Sequence, residues 1–230
     1  MKNLIDEKPT DLLSGRTLFN TTFISDVDVV DRKILDIGCG FGWFEYNTLQ
    51  RGVSHITGIE HTAEALSAAR CNLSDAKVDF IDASALSLPF EDNSYDTVVS
   101  WEVLEHIPKG TEPKMFAEVA RVLKQNGRFY LSTPHRSFFS CVFDPAWWLI
   151  GHRHYSVDAL CALAVGNGFE VEKVVLNGGW WEIIGINNLY VAKWIFRRRP
   201  FFERDIRAAQ DAEYAKGNGF TNIFLKLRKV

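Results

Sequence analysis

The sequence predicts a doubly wound α/β sheet of seven strands with helices on both faces, and three observations carry that prediction. Strand-like and helix-like segments alternate along most of the chain. An apolar run at 33–37 leads straight into a turn holding Gly38, Gly40 and Gly42. The 230 residues, 47% hydrophobic and 24% charged, suffice for one good core but not for two. A helical lead-in is expected at 11–23, then the first strand at 33–37 and, past the turn, a helix at 41–50. Residues 55–59 form the second strand. The helix after it, 62–71, is rich in helix formers (Ala63, Glu64, Leu66, Ala68), with Thr62 as N-cap. Strands follow at 78–81 and 97–100. Phe116, Val119, Ala120 and Leu123 then repeat at helical spacing over 115–123, and Asn126-Gly127 marks that helix's end. The fifth strand, 129–132, stops at Pro134. A helix over 157–165 closes at Gly166-Asn167-Gly168, and 171–176 and 222–227 are the last two strands.

Charge and cysteine usage narrow the classes of partner. A net charge of -3 argues against a general polyanion binder, so no nucleic-acid partner is expected. That total hides a split: residues 191–230 hold ten Lys/Arg against four Asp/Glu, while the other 190 hold 16 against 25. Cys39, Cys71, Cys141 and Cys161 lack CxxC spacing, and the charged start of the chain lacks a secretory apolar run. Both features point to a reduced, cytoplasmic protein. The most apolar stretch, 180–196, is interrupted by Glu182, Asn187, Asn188 and Lys193 and does not read as a membrane span.

The segment Asp36-Ile37-Gly38-Cys39-Gly40-Phe41-Gly42 is the most informative. A buried strand that runs into glycines and then a helix brings backbone N–H groups close to a ligand at the carboxyl end of the sheet. A dinucleotide fingerprint would need glycine at 43, where Trp43 stands. The D-x-G-x-G-x-G pattern resembles motif I of the class I S-adenosylmethionine-dependent methyltransferases, in the small-molecule, type 11-like group. The family's later motifs follow in order: Glu60, Asp82-Ala83, Leu88-Pro89-Phe90, Tyr95–Ser100, Leu104-Glu105-His106-Ile107, and Leu131-Ser132-Thr133-Pro134.

The resemblance spans about 33–134 and implies a mostly parallel, Rossmann-like methyltransferase sheet. It implies S-adenosyl-L-methionine as cofactor and S-adenosyl-L-homocysteine as product. The implied cofactor-binding residues are Asp36, Gly38, Cys39, Gly40, Glu60, His61, Asp82, Ala83 and Trp101, with Glu60 holding the ribose hydroxyls and Asp82 the adenine amine. His106 reads as a packing residue at a helix start. The whole chain, 1–230, is one domain: lead-in 1–32, cofactor-binding core 33–134, acceptor-side region 135–176, insertion 177–221 and last strand 222–230.

Methyl transfer to a hydroxyl needs a base, and histidine suits neutral pH. His135 and His154 are the candidates, lying in the two regions where the family binds its acceptor. His152-x-His154, with Asp144 or Asp158 nearby, lacks a convincing third ligand, so no metal is expected. In the insertion Trp180, Ile183, Ile184, Val191, Trp194 and Ile195 recur every three or four residues, ahead of Arg197-Arg198-Arg199. Such a face fits peripheral membrane contact through 180–199, a cap over an amphipathic acceptor, or a homodimer interface. The expected function is methyl transfer to oxygen of a small, lipid-like or saccharide-precursor acceptor. A nicotinamide oxidoreductase on a similar sheet and a non-catalytic S-adenosylmethionine-binding module are the alternatives.

Overall fold

The computed structural model describes residues 8–10 and 12–230. In it β1 (Lys33–Ile37), β2 (His55–Glu60), β3 (Val78–Asp82), β4 (Tyr95–Trp101), β5 (Leu123–Pro134), β6 (Phe169–Asn177) and β7 (Asn222–Lys229) form one sheet in the order β3-β2-β1-β4-β5-β7-β6. All pairings are parallel except those of β7, which runs antiparallel to both β5 and β6. Strand order reverses between β1 and β4. The crevice outside the carboxyl ends of these strands is where an open sheet of this kind binds its ligand.

Period-two alternation sorts the apolar residues into two layers. Leu35, Ile37, Val98, Phe129, Leu131, Leu225 and Leu227 face one side, packed with Phe116 and Val119 of α4 (Glu112–Val122) and Leu160 of α7 (Val157–Gly166). Ile34, Val99, Tyr130 and Phe224 face the other, against Phe23 of α1 (Gly15–Phe23) and Phe44 of α2 (Trp43–Leu49). The central strands bury both faces, which is why they read as apolar runs instead of alternating ones.

Several boundaries differ from expectation. The lead-in helix is shorter, since α1 starts at Gly15; residues 1–7 and 11 lie outside the described residues. α4 ends at Val122, and the chain enters β5 at once. Asn126 (φ 63°) and Gly127 form an irregularity inside that strand, not a helix end. There the pairing shifts from Tyr95–Leu123 to Thr97–Arg128, and a Cβ on Gly127 would lie 2.9 Å from the Asp96 carbonyl, so only glycine passes. Thr62 stands before α3 (Ala63–Asn72) but makes no capping bond. The Glu60 carboxylate accepts the Thr62 N–H instead, at 2.8 Å.

The acceptor-side half carries helices the sequence reading did not resolve. α5 (Phe138–Phe143) and α6 (Pro145–Ile150) lie between β5 and α7. The insertion folds as α8 (Trp180–Tyr190), a π turn at Val191–Ile195, and α9 (Glu203–Tyr214). Of the six residues of the apolar face only Ile183 is buried, while the others are 39–69% exposed. α8 is held through polar contacts. The Glu213 carboxylate of α9 accepts the N–H groups of Gly179, Trp181 and Glu182 at 2.7–3.0 Å, satisfying donors that a helix start leaves open. Among the described residues no helix is long and apolar enough to cross a membrane.

Candidate active site

Gly38, Gly40 and Gly42 all have left-handed backbones, with φ of 82°, 56° and 86°. A Cβ on Gly38 would collide with the Val103 side chain, so the loop needs glycine there both for φ and for space. At Gly40 the same position opens onto empty space, and its N–H donates to Glu60 Oε2 at 3.2 Å. Glu60 Oε1 accepts from the N–H groups of His61 (2.9 Å) and Thr62 (2.8 Å). Three backbone donors therefore hold one carboxylate at the end of β2, with lone pairs left for a ligand's hydroxyls. Around it lies a crevice of about 470 Å³, lined among others by Gly38, Glu60, His61, Ala83, Glu102 and His106.

The other residues of the implied cofactor set are placed differently. Asp36 is buried under the loop beside Glu45, and Cys39 fills the space between loop and β2. Burial, with the charge of Glu60 adding to it, pushes Asp36 up to about 8; burial pushes Glu45 well above the usual carboxylate range. Asp36 supports the loop from below and does not line the crevice. Burial also pushes the Cys39 thiol up, which keeps it protonated. Asp82 is exposed at the rim, its Oδ1 3.7 Å from His61 Nδ1. The Trp101 ring packs into the layer on the α2 side, 6.0 Å from Phe44, and lines no part of the crevice.

A second cavity, of about 270 Å³, adjoins the first, and Glu102 and His106 line both. Glu102 has a left-handed backbone (φ 57°), and its carboxylate is held by Arg16 Nη1 at 2.7 Å and by the Ser132 hydroxyl at 2.6 Å. Farther in stand Glu105, Asp144, His152 and His154. Asp144 Oδ2 lies 3.0 Å from His152 Nδ1 and 2.8 Å from His154 Nε2. Burial favours the neutral form of Asp144, but these contacts and the Ala146 N–H outweigh it and hold the carboxyl below the usual range. Burial, reinforced by His152, lowers His106. Arg153 Nη2 donates to the Leu104 carbonyl at 2.6 Å, and the Tyr155 hydroxyl also meets it at 3.0 Å. These bonds pin the His152–Tyr155 segment to the loop that carries Glu105 and His106.

Of the two expected histidines, His154 lies in this cavity, whereas His135 lines neither. His135 bridges to Tyr155 across the strand ends, with Nδ1 3.1 Å from the Phe220 carbonyl. Sequence reasoning passed over Arg16 and Glu45 and took His106 for a packing residue. The acidic motif positions 102 and 105 next to His106 were the available signal. A wider groove of about 700 Å³ lies along α8 and α9, away from the glycine loop, with Lys8, Arg199 and Arg207 on its walls.

The strand order, the glycine loop at the switch point and the ordered carboxylate after β2 define a class I methyltransferase fold. The comparisons agree. Residues 35–131 match the family model described as a methyltransferase domain, and this portion is a class I S-adenosylmethionine-dependent methyltransferase domain. The chain is 34% identical over 115 residues to a ubiquinone biosynthesis O-methyltransferase of Aromatoleum aromaticum, covering 49% of this chain and 48% of that one. It is 28% identical over 138 residues to a probable S-adenosylmethionine-dependent methyltransferase of Mycobacterium tuberculosis, covering 60% and 48%. The chain thus spans about half the length of the curated relatives it matches. In fold it resembles the geranyl diphosphate C-methyltransferase of Streptomyces coelicolor, at a TM-score of 0.68 and 16% identity over 93% of this chain and 77% of that one. An S-adenosylmethionine-dependent methyltransferase of Mesorhizobium loti gives 0.63 and 18%, over 91% and 95%.

Proposed function

We propose that the chain transfers the methyl group of S-adenosylmethionine to an oxygen of a small, amphipathic acceptor. The observation that carries this reading is the meeting of two cavities at Glu102 and His106. The crevice at the glycine loop receives the cofactor, with Glu60 on its ribose and Asp82 at the adenine edge. The second cavity receives the acceptor. The sulfonium already activates the methyl group, so the protein's task is to align acceptor oxygen, carbon and sulfur and to keep water out. His106, on the seam, stands where it can take the acceptor's proton as the oxygen–carbon bond forms and the carbon–sulfur bond breaks. His154 then acts as a wall residue of the cavity.

Three observations support a lipid-like acceptor and contact with a membrane surface. Phe143 and Tyr190 line the second cavity, and Phe143 is also partly exposed at its rim. At that rim Phe138, Phe139 and Trp180 form an exposed aromatic cluster with Phe143, its rings linked by Phe139–Trp180 at 5.0 Å and Phe143–Trp180 at 5.9 Å, and Trp194 and Ile195 are exposed as well. Arg197, Arg198 and Arg199 follow directly, which suits anionic headgroups. The relatives named as O-methyltransferases of ubiquinone biosynthesis support oxygen as the methylated atom. The test is transfer of a tritiated methyl group from S-adenosylmethionine to cell extracts split into lipid and aqueous phases. Label in an alkali-stable ether of the lipid phase is expected. Label confined to aqueous material, or to nitrogen, would contradict the acceptor assignment.

A further inference from the structure

We propose that Asp144, His152 and His154 form a binding site for a divalent first-row transition-metal ion, of which Zn2+ is the type, on the wall of the acceptor cavity. One Asp144 oxygen, Oδ2, lies between His152 Nδ1 at 3.0 Å and His154 Nε2 at 2.8 Å, and the three donor atoms fall within 4.8 Å of one another. Ligand atoms bound to one tetrahedral ion at about 2.0–2.2 Å stand about 3.3–3.6 Å apart, so small shifts convert this cluster into a coordination shell. Two imidazoles and one carboxylate are a donor set for Zn2+, Fe2+ or Mn2+, not for Mg2+ or Ca2+. The pair His152-x-His154 wanted a third ligand in the sequence, and the fold supplies Asp144 from the α5–α6 junction. Asp158 is not part of the cluster.

The surroundings are those of a prepared site. Asp144 Oδ1 is already engaged by the Ala146 N–H at 2.9 Å, which orients the carboxylate and leaves Oδ2 for the ion. His154 has partners for its other ring nitrogen, as metal-bound imidazoles do. His154 Nδ1 lies 3.4 Å from the Ser140 hydroxyl and 3.4 Å from the Cys141 thiol. His152 Nε2 faces the Glu105 carboxylate at 3.7 Å. That carboxylate supplies a second, independent observation. Glu105 is buried, and its Oε1 has no hydrogen-bond partner among the described residues. A bound ion gives this oxygen a role, because it polarises the His152 ring and draws the Nε2 proton toward Glu105. All three ligands line the cavity, so a coordination position is left to an acceptor hydroxyl. That use of the ion rests on the proposed O-methylation; the ion site itself does not.

The test is calorimetric titration of the untagged, EDTA-stripped full chain with Zn2+, without cofactor or acceptor, together with the visible spectrum of the Co2+ form. One ion per chain is expected, with micromolar or tighter affinity that excess Mg2+ does not displace. His154→Ala and His152→Ala should each weaken binding at least tenfold and remove the Co2+ spectrum. Glu105→Gln, which leaves all three ligands in place, should weaken it several-fold, and His135→Ala should leave it unchanged. S-adenosylhomocysteine affinity in each variant separates loss of the site from loss of the fold. No stoichiometric Zn2+ binding by the wild type would overturn the proposal, as would unchanged affinity in both histidine variants. Binding that depends on His106 and not on His154 would also overturn it, by moving the ion to Glu105, His106 and His152. Because activity is never read, failure of the metal site leaves the methyl-transfer reading standing, and the converse also holds.

Discussion

On the glycine-loop side of the crevice the decisive carboxylate is held by backbone: Glu60 accepts three N–H groups supplied by Gly40, His61 and Thr62. On the acceptor side the equivalent groups are held mainly by side chains. Glu102 leans on Arg16 and Ser132, and Asp144 on His152 and His154. A site made of backbone depends on local conformation, and short motifs specify it. A site made of side chains depends on the packing of α1, α5, α6 and α8 and leaves little trace in sequence spacing. The same contrast suits one cofactor on one side and a changeable acceptor on the other.

Gly38→Ala should break the contrast most sharply, since both φ and the Val103 contact oppose it. A stability loss of about 2–4 kcal/mol in urea unfolding is expected, with at least 100-fold weaker S-adenosylhomocysteine binding. A substitution that leaves both unchanged would mean that the loop does not depend on its glycine backbone. The next effect lies beneath the loop. The raised Asp36 and Glu45 carboxyls keep in the folded state a proton that unfolded carboxyls release near their ordinary values, 3.8 for Asp and 4.5 for Glu. Their contribution is therefore full below about pH 4 and is lost as pH rises toward about 8, at about 1.4 kcal/mol per pH unit for each proton so held. Glu45→Gln should flatten that fall when stability is followed from pH 5 to 8; an unchanged slope would contradict a raised Glu45 carboxyl.

On the acceptor side, Arg16→Met should leave S-adenosylhomocysteine affinity within about threefold, while the loss of a partner to half-buried Glu102 costs about 1 kcal/mol of stability. A large loss of cofactor affinity would show that the two sides are not separately built. The smallest effect on stability is expected at the aromatic surface. Phe138→Ala with Trp194→Ala should change stability by no more than about 0.5–1 kcal/mol, since both side chains are mostly exposed. The same pair should abolish co-sedimentation with anionic phosphatidylglycerol vesicles. Equal vesicle binding by wild type and variant would remove the membrane from the account.

The same division explains what could be read in advance. The central strands are visible as apolar runs between turn residues, because strands buried on both faces must be apolar, and the glycine loop reveals itself because left-handed backbones demand glycine. Their ends were less legible: Leu123 continues as strand and not as helix because it pairs with Tyr95, a long-range contact absent from local periodicity. Trp101 follows the right strand, but the pleat turns its ring away from the crevice. His106 looked like a packing residue because nothing local reveals that Glu102 and His152 meet it at the cavity wall. The aromatic spacing in 180–195 shows an apolar face but not what covers it; α8 is held by Glu213 and Ile183 and leaves most of those rings in solvent.

The central claim is that the crevice beside Gly38 and Glu60 binds the methyl donor. Calorimetric titration of the wild type and of Glu60→Ala, with S-adenosylmethionine, S-adenosylhomocysteine and NAD, tests it most directly. The account predicts 1:1 binding of the first two ligands, no binding of NAD, and a loss of about 1–3 kcal/mol, roughly five- to 150-fold, in the Glu60 variant. Binding of NAD alone, or undiminished affinity in Glu60→Ala, would contradict it.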